Sequence, residues 1–197
     1  TSRDAAVSAI FAAQIALSGE GLGTNLAATM TVDTTLIPGV YSSASWSTTN
    51  GTVLTLDNQG VNDAQWIFNI ADILAFGANT QIVLAGTGTN SSVFWNAGSD
   101  LTAGYATLGD NALVLGIIFA FDYITLGANA SSFGSNSSSC GGLYSATSLV
   151  EIGASAQVGG EGCDDSIPPV PLPAGGLLLL SGLAGVAALK RRKKWTA

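Results

Sequence analysis

The feature that most constrains the fold of this chain is a pentapeptide that returns four times: Phe76-Gly-Ala-Asn-Thr80, Leu108-Gly-Asp-Asn-Ala112, Leu126-Gly-Ala-Asn-Ala130 and Ile152-Gly-Ala-Ser-Ala156. Its form is an apolar residue, glycine, any residue, Asn or Ser, then Ala or Thr. The starts at 76, 108, 126 and 152 lie 32, 18 and 26 residues apart, spacings that match successive coils of a solenoid with loops of varying length. In such a coil the large apolar residue points inward, the glycine takes the corner at positive φ, and the small residues stack on the next coil. A β-sandwich can use similar strands but has no need of the same corner sequence each time.

Short β-type runs surround these corners, at residues 39–41, 52–57, 66–70, 81–84, 93–95, 113–119 and 123–126, with Gly, Asn and Asp between them. Residues 1–19 read instead as a helix: Val7, Ile10, Phe11 and Leu17 share one face, and Gly19 can end it. The expected architecture is therefore mostly β, a right-handed or irregular β-solenoid with one flanking α-helix. A C-terminal transmembrane sorting helix follows it.

Charge separates these parts. Thirteen acidic residues against Arg3 alone leave residues 1–189 at −12, while Lys190, Arg191, Arg192, Lys193 and Lys194 carry +5, giving the net −7. A body this acidic repels a phosphate backbone, which excludes nucleic acid as a partner. The absence of histidine removes the commonest general base and metal ligand. The expectation is a protein that is not an enzyme and has neither cofactor nor bound metal. Asp57, Asn58, Asn62 and Asp63 cluster, but they miss the spacing and the terminal Glu of a calcium loop and read as a turn. Trp66 and Trp95 lie in apolar runs and read as core, whereas Trp46, between Ser45 and Ser47, is the one aromatic expected at the surface.

Three regions follow from these patterns. Residues 1–163 form the solenoid with its helix, 164–169 a linker, and 170–197 a sorting module. That module opens with Val170, Pro171, Leu172, Pro173 and Ala174, continues through fifteen uncharged residues from Gly175 to Leu189, and ends in the basic cluster. Counted from Val170, the apolar stretch has about the 20 residues needed to cross a bilayer, and the cations mark its cytoplasmic end. Cys140 and Cys163 are expected to pair, a bridge worth roughly 3 kcal/mol in an exported protein.

The tail resembles the PEP-CTERM class of bacterial sorting signals in its VPLPA variant. That resemblance implies export behind an N-terminal signal ahead of Thr1, cleavage near the motif by an exosortase, and display at the cell envelope or release. Extracellular polysaccharide is a partner the resemblance suggests. The body, through Leu36-Ile-Pro-Gly-Val-Tyr41, Leu54-Thr-Leu-Asp57, Asp63-Ala-Gln-Trp-Ile-Phe-Asn-Ile70, Val93-Phe-Trp95 and Ile124-Thr-Leu-Gly127, resembles the ice-binding family of bacteria, fungi and algae. The resemblance implies a discontinuous β-solenoid with a helix along one side and ice, with its ordered water, as partner. The β segments that the family places before that helix are absent from this sequence.

Stacked coils and alternating residues give a grid of about 4.8 Å by about 6.7 Å on a sheet face, on which short side chains can hold ordered water. The candidate outward positions are Thr107, Thr125, Asn79, Asn111, Asn129 and Ser155, with the rows around Thr87, Thr89 and Asn90 as the alternative face. Asn and Ser in these corners also suit turns in which they satisfy backbone groups, and for the asparagines the turn is the better reading. Ala130, Ala156 and Glu151 stand where an unbroken face would carry Thr. A structural or adhesive matrix protein with the same fold, and a carbohydrate-binding module, remain alternative readings.

Overall fold

In a computed structural model, which describes residues 2–135 and 141–159, helix α1 (Ser2–Gly19) precedes six β coils. The coils comprise β1 (Thr24–Asn25), β2 (Thr29–Met30) and β3 (Thr34–Leu36); β4 (Gly39–Ser43), β5 (Trp46–Thr48) and β6 (Val53–Asp57); then β7 (Gln65–Ile70), β8 (Leu74–Phe76) and β9 (Gln81–Ala85). They continue through β10 (Ser92–Ala97), β11 (Ala106–Leu108) and β12 (Leu113–Leu115); β13 (Ile117–Ala120), β14 (Ile124–Leu126) and β15 (Ser131–Phe133); and β16 (Gly142–Ser145), β17 (Val150–Ile152) and β18 (Gln157–Val158). Each coil gives one strand to each of three parallel sheets: sheet I from β1 to β16, sheet II from β2 to β17 and sheet III from β3 to β18. The chain is thus a three-sided β-solenoid with one helix.

Alternation within each short strand sorts its side chains. In β8, β11 and β14 the outer two residues are buried and the middle one is not, so each strand feeds the core with two apolar groups and shows one residue to solvent. Stacking then brings like residues together. The register Tyr41↔Phe68↔Trp95 lines up three aromatic side chains on sheet I. Phe68 and Trp95 stack at 4.0 Å and 10°, Tyr41 lies 5.3 Å from Phe68, and Trp46 packs on Trp95 at 5.9 Å. Burying each of these rings stabilises the fold by about 3 kcal/mol at the upper end of the transfer scale.

The structure corrects three expectations. Trp46 is core rather than surface, 3% exposed and in contact with Phe68, Phe76 and Trp95; Ser45 precedes the strand and Ser47 is its outward residue, so the polar flank reports the pleat and not the indole. The run 113–119 is two strands, because Gly116 turns a corner at φ 105 between sheets III and I. The repeated glycines are not the positive-φ residues of their corners. Asn79, Asn111, Asn129 and Ser155 take that conformation, at φ 59, 56, 55 and 58.

Those glycines are required by proximity instead. A Cβ on Gly109 would lie 2.5 Å from the Ala78 nitrogen, on Gly127 2.7 Å from the Asp110 nitrogen, and on Gly153 2.6 Å from the Leu126 oxygen. Each belongs to the coil below, so the missing side chain is what lets the corners nest.

The linker, the sorting residues Val170 to Ala174, the apolar stretch and the Lys190 to Lys194 cluster lie outside the described residues, as do Cys140 and Cys163. Among the described residues no helix is long and apolar enough to cross a membrane.

Candidate functional site

Of the three faces, sheet I is occupied. Its outward Asn69 and Asn96 are buried beneath α1, whose one buried residue is Gln14. Asn96 accepts from Gln14 Nε2 at 3.0 Å and donates to the Gln14 carbonyl, to Ser18 Oγ and to Asn69 Oδ1 at 3.2, 3.1 and 2.9 Å. Asn69 donates in turn to the Leu17 carbonyl at 2.9 Å. Buried amides are held this way because each unpaired polar atom in a dry interface costs about 1–3 kcal/mol. This amide ladder is a feature the sequence reading missed; the signal was present in the paired runs Phe68-Asn69 and Trp95-Asn96, where a polar residue interrupts an apolar strand at the same place in consecutive coils.

Sheet III is open but uneven. Its outward rows run Val53, Gln81, Leu113, Ser131, Gln157 and Thr35, Thr55, Val83, Leu115, Phe133; Thr35 and Thr55 are neighbours, but the rest of both rows mixes branched, aromatic and amide side chains of different height.

Sheet II carries the candidate threonines. The register places Thr29, Ser47, Ala75, Thr107, Thr125 and Glu151 in one outward row across all six coils. Thr107 and Thr125 are adjacent in it and half-buried. Thr29 and Ser47, which the sequence reading did not select, share the row and approach each other at 3.1 Å between hydroxyls. Beside the row lies a strip of glycines, Gly77, Gly109, Gly127 and Gly153, with no side chain to rise above the sheet.

The corner beyond that strip holds Asn79, Asn111, Asn129 and Ser155. Their backbone N–H groups bond across coils, Asn79 to the Asp110 carbonyl at 2.8 Å, and Asn111 and Asn129 to those of Ala128 and Ala154 at 2.9 Å. Asn129 Nδ2 donates to Asn111 Oδ1 at 3.3 Å, and all four residues are exposed. They therefore build the turn and also present side chains in a stacked file along its edge. Ala130 is fully buried and Ala156 packs against the core, so neither interrupts the outer face; Glu151 does.

On the opposite border of sheet II, Tyr105 and Tyr123 stack at 4.6 Å and 10°. Desolvation, followed by neighbouring Tyr105 and Asp122, holds the Tyr123 phenol above its ordinary range and so keeps it neutral. The alternative rows do not form a face: Thr87, Thr89 and Asn90 lie in the turn between β9 and β10, where the Thr89 N–H and hydroxyl both donate to Asn62 Oδ1. Asp57 and Asn58 also shape turns here, accepting from the Gln59 and Gly60 N–H groups at 2.9 Å. Among the described residues no cluster of acidic, Cys or His side chains suits a metal ion.

Comparison with known proteins gives the same picture from outside. The model of the ice-binding-like family matches residues 1–157. An ice-binding protein from Nostoc sp. (strain HG1) is 40% identical over 92 residues, covering 47% of this chain and 32% of that protein. One from Leucosporidium sp. (strain AY30) is 29% identical over 99 residues, covering 50% and 35%. The chain thus matches about a third of the length of these relatives. Among solved structures, an ice-binding protein from an Arctic yeast, described in terms of its antifreeze activity, superposes with a TM-score of 0.64 at 26% identity, covering 86% of this chain and 64% of that one. One from the Antarctic ascomycete Antarctomyces psychrotrophicus has a TM-score of 0.63 at 24% identity, covering 78% and 68%.

Proposed function

The chain belongs to the ice-binding-like family, and from that membership we propose that it adsorbs to ice through the outer face of sheet II. The observation that carries the proposal is the in-register row containing Thr107 and Thr125, set beside a strip of glycines on a sheet that α1 leaves uncovered. A threonine hydroxyl both donates and accepts, and its methyl excludes water from one side, so a row of them fixes water positions without charge. Coil stacking repeats those positions every 4.7–4.9 Å or so. Rigidity matters as much as spacing, because water ordered on a face that fluctuates loses its register; the buried Ala106, Leu108, Ile124 and Leu126, which flank the two threonines on their strands, anchor the row to the core. The exposed files at Asn111 and Asn129 extend the polar edge of this face.

The wider setting of the proposal is export. The order of VPLPA motif, apolar stretch and basic cluster supports transient anchoring in the inner membrane, exosortase cleavage near Pro173, and a mature form at the outer surface or in the medium. Mass spectrometry of the surface form is expected to find no peptide from Gly175 to Ala197, and detection of the Lys190 to Lys194 segment there would overturn the processing step.

Thr125→Arg tests the face. The substitution adds a long charged stem to an outward position, where surface changes usually alter stability by no more than about 0.5 kcal/mol. Circular dichroism should be unchanged and thermal hysteresis lost. Full hysteresis with an intact fold would refute the assignment of sheet II, and absence of hysteresis and crystal shaping in the parent chain would favour a structural matrix protein.

A further inference from the structure

We infer that the ice contact is concentrated in a two-coil patch formed by β11 and β14, and that Ala75 and Glu151 set its extent. The inference rests on the assignment of sheet II as the adsorbing face. Its basis is that the fourth and fifth coils present segments alike at six of eight positions, Tyr105-Ala-Thr-Leu-Gly-Asp-Asn-Ala112 and Tyr123-Ile-Thr-Leu-Gly-Ala-Asn-Ala130, joined residue for residue through Ala106↔Ile124, Thr107↔Thr125 and Leu108↔Leu126. The outward tyrosine, threonine, glycine and asparagine ranks match across this pair; the one outward mismatch is exposed Asp110 opposite Ala128, its carboxylate accepting from the Ala128 N–H at 2.8 Å.

The match stops on both sides within the threonine row. Ala75 pairs with Thr107, and Glu151 pairs with Thr125. The two ends fail for different reasons. Alanine keeps the face flat but offers no donor or acceptor, so water anchored by Thr107 has no counterpart one coil away. Glutamate is exposed, and its ionised carboxylate is acceptor-only; it turns the hydrogens of all its waters inward and stands above the plane. A lattice that alternates donors and acceptors cannot continue over it. Beyond Ala75 the hydroxyl row resumes at Ser47 and Thr29, so a single substitution would reconnect it. With both gaps filled, the row of six residues would run about 24 Å, from five coil spacings of roughly 4.8 Å.

The structure thus assigns Ala75 and Glu151 as residues that limit the area and hence the strength of adsorption, rather than as contacts. The test uses the full chain with Ala75→Thr, Glu151→Thr and the pair, and compares thermal hysteresis with the parent and with Thr107→Ala/Thr125→Ala. Threonine is favoured in strands, and thermal midpoints near that of the parent would establish that each variant folds. Each single variant is expected to raise hysteresis, and the pair to exceed either. Unchanged hysteresis in all three, with loss in the double alanine variant, would overturn the limiting role while leaving sheet II as the ice face. Unchanged hysteresis in the double alanine variant would overturn the face itself, and the limiting role with it.

Discussion

Replacing Asn96 by aspartate should make the stability of the whole solenoid depend on pH in a direction opposite to that of most acidic proteins. Asn96 is fully buried and gives its amide hydrogens to three acceptors, the Gln14 carbonyl, Ser18 Oγ and Asn69 Oδ1. An ionised aspartate would turn an oxygen toward two of them that cannot donate in return. Desolvation and these acceptors both disfavour the charged form, so the folded-state pKa rises above the unfolded value of about 3.9. Between the two values the folded state binds the extra proton, and stability falls as pH rises. Below both values the neutral acid still has one O–H to donate, and the variant should lie close to the parent. A rise at the low end of that documented for buried carboxyls corresponds to about 4 kcal/mol lost by pH 7, a large part of the roughly 5–15 kcal/mol that holds a domain together. Urea denaturation of variant and parent at pH 4 and pH 7, taken as a difference so that the other carboxylates cancel, reads the effect. Equal stability of the two at pH 7, or a variant that gains on the parent as pH rises, would refute the view that α1 is held by a dry amide ladder.

The remaining predictions concern the core and the corners. Gly127→Ala should lower stability by about 1–3 kcal/mol through overpacking, since its Cβ would lie 2.7 Å from the Asp110 nitrogen; a thermal midpoint equal to that of the parent would show that the coils can part without cost. Trp95→Ala should cost about 3–5 kcal/mol because it removes the ring on which Phe68, Trp46 and Phe76 all pack, and a loss below 1 kcal/mol in denaturant unfolding, well under that range, would place the stabilising contacts elsewhere.

Much of the solenoid was legible because the pentapeptide repeat marks four of the six coils, and the pleat assigns its large apolar residue to the inside. Phe76, Leu108 and Leu126 are buried as that argument requires, whereas Ile152 on the sixth coil is 54% exposed, so the inward expectation fails at the end of the described stack; the helix occupies almost the predicted span. Thr107 and Thr125 were legible as outward residues from the same alternation; that they are neighbours follows only from the 18-residue coil between them, whose loop length no local rule supplies. The roles of Gly and Asn were exchanged because both tolerate positive φ, and only the distance to the next coil decides which one must lack a Cβ. Trp46 was misplaced for a related reason: its serine neighbours describe the outer face, and the alternation that they announce already puts the indole inside. The Asn69 and Asn96 ladder stayed hidden because its partner, Gln14, is 82 residues from Asn96 along the chain.

That long-range contact also bears on how the molecule comes apart. A bare stack of coils bonded only to nearest neighbours melts by fraying, each end opening on its own. Here α1 crosses the stack: Gln14 and Ser18 bond to β10 and the segment after it, Phe11 meets Phe121 at 5.8 Å, and Ala6, Ala9 and Ile10 line a groove with Ile117, Phe119 and Tyr144. The helix acts as a splint that couples coils remote from one another, so losing any of them frees part of the helix and weakens the rest. Unfolding becomes a shared event rather than a peeling one. Folding carries the corresponding delay, since the splint has nothing to grip until several coils have already closed.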